Sequence, residues 1–439
     1  MRTENALKYT IDTILEIALG YKIEFSVVEF SEKNIEIKVK NKNINFSICG
    51  TEDFNKLLSG DLKLSDISAF DDYYKIPILK IGKENILYHT ENEKIIFNFD
   101  ILSLSFILLS GLDELVSAER DEHDRFLYKN SIAKKYNTIK IPLVDEYAML
   151  IRIILKKEYP DIEIKPRQFS ITPTHDIDDI YRFTGTVKSI KSILSQLLRS
   201  KNIKEVIIAV KFFFQSLSDQ RRDPYFKGIE TLLKHSEANG LKSIFFFMGA
   251  NPSAFDAGQN IRDKNLKTIL RRIKDAHMIA GVHPGFYTYK DRNTLKMEIE
   301  RVKEAIGHSV VHSRQHYLRF DRQQTFDNLQ AEGVEIDYTM GFAEEEGFKC
   351  GTSHEFHPYD FKNDMPYKIK EKPLIAMDVT LSSYKSYSVA EAKQSLDLLS
   401  QRIRRTGGDF IILWHNAYVY REMEFYKNVY LEFLNKNRK

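Results

Sequence analysis

The sequence predicts an α/β protein built on a parallel sheet of seven strands with crossover helices, open or closed into a barrel, behind a smaller α+β domain. Two observations predict it. From about residue 165 onward apolar strand-like runs alternate with helical patterns, the signature of parallel strands joined by crossovers, whereas the first 150 residues mix short alternating segments with helices at each end. A chain of 439 residues also exceeds one ordinary core.

Taken in order, MRTENALKYTIDTILEIALGYKIEF has apolar residues at helical spacing and polar ones where a signal peptide needs an unbroken apolar core, so it reads as an amphipathic helix. KIEFSVVEF, NIEIKVK, INFSI, KIPILKI and KIIFNF follow as strands. Phe97 to Leu109 reads as a buried helix, because Asn98 and Asp100 interrupt the run that could otherwise span a membrane. Ile141 to Glu158 is a Pro-initiated helix leading to Tyr159-Pro160, a domain boundary that divides the chain into residues 1–160 and 165–439. Asp121, Glu122 and His123 are expected on a solvated, charged loop.

Strands are expected at Phe169 to Thr172, Ser243 to Met248, Met278 to Val282, Ser309 to His312, Val334 to Asp337, Leu374 to Val379 and Asp409 to Trp414. Helices are expected between most of them: Lys188 to Ser200, Ile203 to Ser216, Tyr225 to Asn239, Leu266 to Ala276, Asn293 to Ile306, Gln323 to Ala331 and Ala390 to Arg405. Such folds gather their chemistry at the carboxyl ends of the strands.

Composition narrows the partners. Lys plus Arg number 65 against 62 Asp plus Glu, a near balance that argues against a nucleic-acid footprint or an anionic membrane partner. Two cysteines, Cys49 and Cys350, make no disulfide framework and point to a reducing compartment. No run reaches the ~18–20 apolar residues of a transmembrane segment. A cytoplasmic location is the resulting expectation.

The strand ends carry the chemistry. The first delivers His175, Asp176, Asp178 and Asp179; alternation along a strand that persists past Pro173 puts Thr172, Thr174, Asp176 and Asp178 on one face and His175 on the other. The third runs into GVHPG with His283, the fourth puts His312, Arg314 and His316 on one face, the fifth ends at Asp337 and the seventh at Trp414-His415-Asn416. Each piece has a plain structural reading: an Asx-rich turn, a Gly-His-Pro turn, an ion-paired arginine, a core Trp-His pair. Together they are more polar than sheet packing requires, and carboxylate plus imidazole is the ligand chemistry of zinc and other divalent ions. The inference is a metal-assisted hydrolytic site. His354 and His357 are assigned to loop organisation.

THDIDD, GVHPG, SRQHYLRF and ILWHN, in this order, resemble the motifs of NodB-type polysaccharide deacetylases, carbohydrate esterase family four, over roughly residues 165 to 420. The longer bacterial subgroup with an uncharacterised N-terminal domain is the nearest match. The resemblance implies a distorted β/α barrel, a divalent metal such as zinc, and an acetylated sugar or glycan precursor as substrate. It implies Asp176 as catalytic base, Asp178 and His283 as metal ligands, Arg314 orienting the base and His415 as acid; Asp178 and Asp179 remain the alternative registration. The family's second histidine is Tyr287 here, so His316 is expected to complete the ligand set, with Trp414 and Tyr287 facing substrate. Without a third ligand the alternatives are a glycan-binding pseudoenzyme or another metal-dependent amidohydrolase. With few functional groups before residue 150, a chain starting near Lys165 is expected to keep the site. The oligomeric state is left open.

Overall fold

The computed structural model describes residues 3–437 except 69–74, 82–85, 186–188, 190–192, 195–202 and 422. The expected helix Lys188 to Ser200 lies almost wholly outside them. Eight strands form one parallel sheet: β1 (Ser170–Ile177), β2 (Ile244–Met248), β3 (Ile279–His283), β4 (His312–Ser313), β5 (Ile336–Asp337), β6 (Lys370–Glu371), β7 (Ala376–Met377) and β8 (Asp409–Leu413). Their order is β6-β5-β4-β3-β2-β1-β8-β7. The two edge strands, β6 and β7, are joined by only Lys372, Pro373, Leu374 and Ile375, so the sheet must curl until its edges nearly meet.

That segment accounts for eight strands where seven are expected. Lys372 donates to Asp337 at the end of β5 and Leu374 to Met340 just beyond it, and then Ile375 donates to Ile411 on β8. One extended stretch switches partners in mid-course and counts as two strands.

The strand cores follow from their sequences. β2, Ile-Phe-Phe-Phe-Met, is buried at every position, as a strand covered on both faces requires. Pro173 sits inside β1 without loss of a ladder bond: Ser170 donates toward β8, so Pro173 has the parity that faces β2, whose pairing starts one residue later at Thr174. Asp223, Asp263 and Asp291 each cap the helix that follows, and Ser388 with Glu391 makes a capping box. No described helix is long and apolar enough to cross a membrane.

Residues before 160 contribute a five-stranded sheet, including Asn34–Val39 and Lys42–Ser47, and helices Glu4–Leu19, Leu102–Ser110 and Leu143–Glu158. Leu102–Ser110 is buried all round, and the Asp100 carboxylate takes the amides of Leu102 and Ser103 at its start. Cys49 and Cys350 are both buried, and neither is in a disulfide.

This portion packs on the connection between β5 and β6. Val144 donates to the Gly351 carbonyl (2.8 Å), Phe348 to that of Ile139 (2.7 Å), and the Asp145 carboxylate accepts from the Ser353 amide and hydroxyl. Tyr9 and Phe106 pack against Tyr359, the second edge-on, and Glu114, almost fully buried, pairs with Arg322 (3.1 Å) and Lys349 (3.3 Å). Removing one member of a buried pair strands the other charge. Arg322→Met is therefore expected to destabilise the protein by about 3–5 kcal/mol, read from urea unfolding, and adding Glu114→Gln should recover part of the loss.

Candidate active site

The carboxyl ends of β1, β3, β4 and β8 open into a cavity of about 550 Å³, lined among others by Asp176, Asp178, His283, His316 and His415. A volume of this size suits a small ligand or one sugar unit. The alternation of β1 turns Thr174 and Asp176 inward and His175 outward, where its ring lies against Phe245 and Tyr430 and bonds the Trp414 carbonyl. Burial drives the His175 pKa down to about 4, so it is a neutral core histidine.

His283 ends β3. The following turn brings the Gly285 backbone so close to Ala250 and Asp256 that a Cβ there would lie 2.6 Å from the alanine methyl. β4 is only two residues long, yet the amide of Arg314 still bonds Val282 and that of His316 bonds Pro284, which carries His316 alongside His283. Their rings stand 5.0 Å apart.

One ligand atom each from Asp178, His283 and His316 lie within 4.8 Å of one another. The network assigns their protons. His283 Nδ1 donates to the Arg314 carbonyl (2.6 Å), so the neutral ring points its Nε2 lone pair at Asp178 Oδ1, 3.2 Å away; both atoms are buried and without a hydrogen-bond partner in that state. His316 Nδ1 bonds the Asp256 carboxylate at 2.8 Å, leaving its Nε2 3.9 Å from Asp178 Oδ1. Opposed lone pairs require a positive charge between them. The same demand appears in the pKa values: burial alone would lower His283, but Asp176 and Asp178 outweigh it and raise it. Burial would raise Asp178, but its bond to His283 and the charges of His316 and His415 hold it well below the usual carboxylate range. One carboxylate and two imidazoles, the second backed by a carboxylate, fit a zinc-type dication.

Two further groups flank this trio. Arg314 is fully buried and reaches across the barrel to Asp176 Oδ1 (3.1 Å), Thr174 Oγ1 (2.7 Å) and the Tyr338 carbonyl (3.0 Å), leaving Asp176 Oδ2 3.8 Å from His283 Nε2. His415 bonds the fully buried Asp378 through both its amide (2.7 Å) and Nδ1 (2.8 Å). Burial lowers the His415 pKa, but Asp378 first, and then Asp178 and Asp176, raise it to about 10. Asp179, the alternative registration, bonds the Tyr181 amide instead of the histidines, and burial raises it to about 6.

Several sequence expectations are corrected. Trp414 does not face the cavity: it is fully buried, its ring against Phe425, Tyr426 and Tyr430, because its parity on the β8 end is opposite to that of Leu413 and His415. Tyr287 is half-exposed beside Phe286 and Phe255 and is not among the cavity-lining residues, because the turn after Gly285 carries it outward. Asp337 is buried on Ser313 and Thr339, away from the trio. His123 is no solvated loop residue; its ring packs among Phe255, Phe286 and Tyr317. Asp378 and Asp256 were not anticipated. Asp378 is legible as a charge closing the apolar run Leu374 to Met377, whereas Asp256 lies in an irregular loop with no pattern to mark it.

Residues 1–160 match a family described only as a family of unknown function, DUF7033. No curated protein matches. Among solved structures, a Mycobacterium smegmatis protein provisionally named a polysaccharide deacetylase aligns at 15% identity over 62% of this chain and 84% of its own, with a TM-score of 0.40. The polysaccharide deacetylase Bc1974 from Bacillus cereus aligns at 12% identity over 62% and 89%, TM-score 0.30. The family four pseudoenzyme BA3943 from Bacillus anthracis aligns at 15% over 48% and 58%, TM-score 0.23. At TM-scores this low none of the superpositions bears on what the site does.

The Asp378–His415 pair yields a direct test. A histidine raised to about 10 stays protonated through neutral pH and loses its proton only as the pH rises through that value. In Asp378→Asn the titration of His415, followed by NMR, should move down toward the ordinary value of about 6.5.

Proposed function

We propose that the chain is a metal-dependent hydrolase that removes N- or O-linked acetyl groups from a glycan or glycan precursor, with residues 165–439 as its catalytic domain and residues 1–160 as a second domain. The observation that carries this reading is His283 Nε2 facing Asp178 Oδ1 at 3.2 Å, with His316 beside them and a carboxylate and a cationic histidine on the flanks.

Asp178, His283 and His316 would hold the ion. Bound there, a zinc-type dication supplies Lewis acidity toward the acetyl oxygen and toward water. Asp176 accepts the proton of the attacking water as the new C–O bond forms. His415 then gives its proton to the departing nitrogen or oxygen as the acetyl bond breaks, leaving acetate and the free sugar group. Asp378 makes that proton available at neutral pH and fixes the ring. Leu318, Ala343, Met377 and Leu413, one apolar cluster lining the same cavity, suit the acetyl methyl, and Tyr225, Tyr317, Tyr384 and Tyr418 offer ring faces to a sugar.

The roles of the two carboxylates separate experimentally. With an N-acetylated chito-oligosaccharide as probe, Asp176→Asn should lower the rate of acetate release by about 10²–10⁴-fold and keep its zinc on dialysis, whereas Asp178→Asn should lose zinc and activity together. Equal metal loss in both would overturn the assignment. A wild type that binds the sugar but neither metal nor turnover would be the glycan-binding pseudoenzyme.

A further inference from the structure

Among the described residues, the N-terminal portion reaches the cavity through the loop 119–126. An antiparallel bridge between Arg120 and Phe126 closes the loop, and the Asp121 carboxylate pins it by accepting the amides of His123 and Arg125. Three of its residues grip the barrel. Asp124 accepts from Tyr289 (2.5 Å) and Lys290 (3.2 Å). The His123 carbonyl accepts from Arg319 (2.6 Å), whose guanidinium also bonds the Phe286 carbonyl and lies 3.8 Å from the Phe286 ring centre. Arg125, held by Asp121, donates to the Tyr317 carbonyl (3.1 Å) and the Tyr384 hydroxyl (3.2 Å) and itself lines the cavity.

Every hydrogen-bond partner of these three residues on the barrel but Tyr384 lies on one of two turns: Phe286 to Lys290, just after His283, and Tyr317 to Arg319, just after His316. The second is strained. Tyr317 and Leu318 are consecutive non-glycine residues at φ +60° and +55°, a left-handed conformation that L side chains disfavour. Such a turn persists only where neighbours over-determine it, and the Tyr317 carbonyl is taken by Arg125.

We propose that the loop 119–126 is a working part of the active site and that Arg125 is a positioning residue, holding the strained turn that aims His316 into the ligand set while walling the cavity that receives the substrate. The proposal rests on the metal assignment above. It gives the N-terminal domain a function: it completes the site, so the barrel alone from Lys165 carries every proposed ligand but not their support, contrary to the expectation from sequence.

The test uses the full-length protein loaded with cobalt(II), whose visible spectrum reports ligand geometry. Arg125→Ala should lower cobalt affinity by about 10–100-fold and alter the spectrum. Arg125→Lys, which keeps the charge but cannot bridge three acceptors, should fold as wild type and fall between the two. Lys129→Ala, an exposed position three residues past the loop, should leave both readouts unchanged. Wild-type affinity and spectrum in Arg125→Lys, together with either the same result or failure to fold in Arg125→Ala, overturn the proposal, as does a wild-type protein that binds no cobalt. A wild type that binds cobalt tightly but releases no acetate would overturn the deacetylase reading and leave this one standing.

Discussion

Residue 314 is the point through which the site is assembled. Its guanidinium, sealed inside the barrel, ties β1 to the end of β5 and holds Asp176, while its carbonyl takes the Nδ1 proton of His283 and so selects the tautomer whose other nitrogen faces Asp178. A buried guanidinium needs acceptors for its donors, and one of those it finds here is Asp176, the proposed base. One residue thus orients both a carboxylate by its side chain and an imidazole by its backbone.

The three cavity histidines show how much the environment, more than residue type, decides a role. Each is held through Nδ1 and presents Nε2 to the cavity, but the anchors differ: a carbonyl for His283, Asp256 for His316, Asp378 for His415. A carbonyl accepts a proton without adding charge, so the charges that act on His283 come from Asp176 and Asp178. The fully buried Asp378 carboxylate, with the charges of Asp178 and Asp176 behind it, draws a second proton onto its histidine, and His415 becomes an acid.

Much of this was legible in the sequence because it depends on period. Parity along β1 separates Asp176 from His175, and the apolar run of β2 could only be a strand covered on both faces. What was not legible depends on tertiary closure. Arg125 and His123 sit in a stretch dense with charge, indistinguishable from a solvated loop until Tyr317 and Phe286 are brought to it. Trp414 was misread because a tryptophan beside a functional histidine suggests a binding wall, although neighbouring positions on an extended strand point opposite ways. The split of Leu374 to Val379 between two edges likewise follows from the curl of the sheet, which no local pattern encodes.

The docking of the first helix onto the β5–β6 connection bears on biosynthesis. Thr3 bonds Asp364, a partner 361 residues away, and Tyr9 packs on Tyr359. At ribosomal speeds of ~5–20 residues per second, that side of the helix waits roughly 20–70 s for its cover to emerge. The wait falls in the interval when nascent chains are most open to chaperones and to one another, so substitutions around Tyr359 are felt first in how much protein the cell accumulates and only then in how firmly the finished molecule holds together.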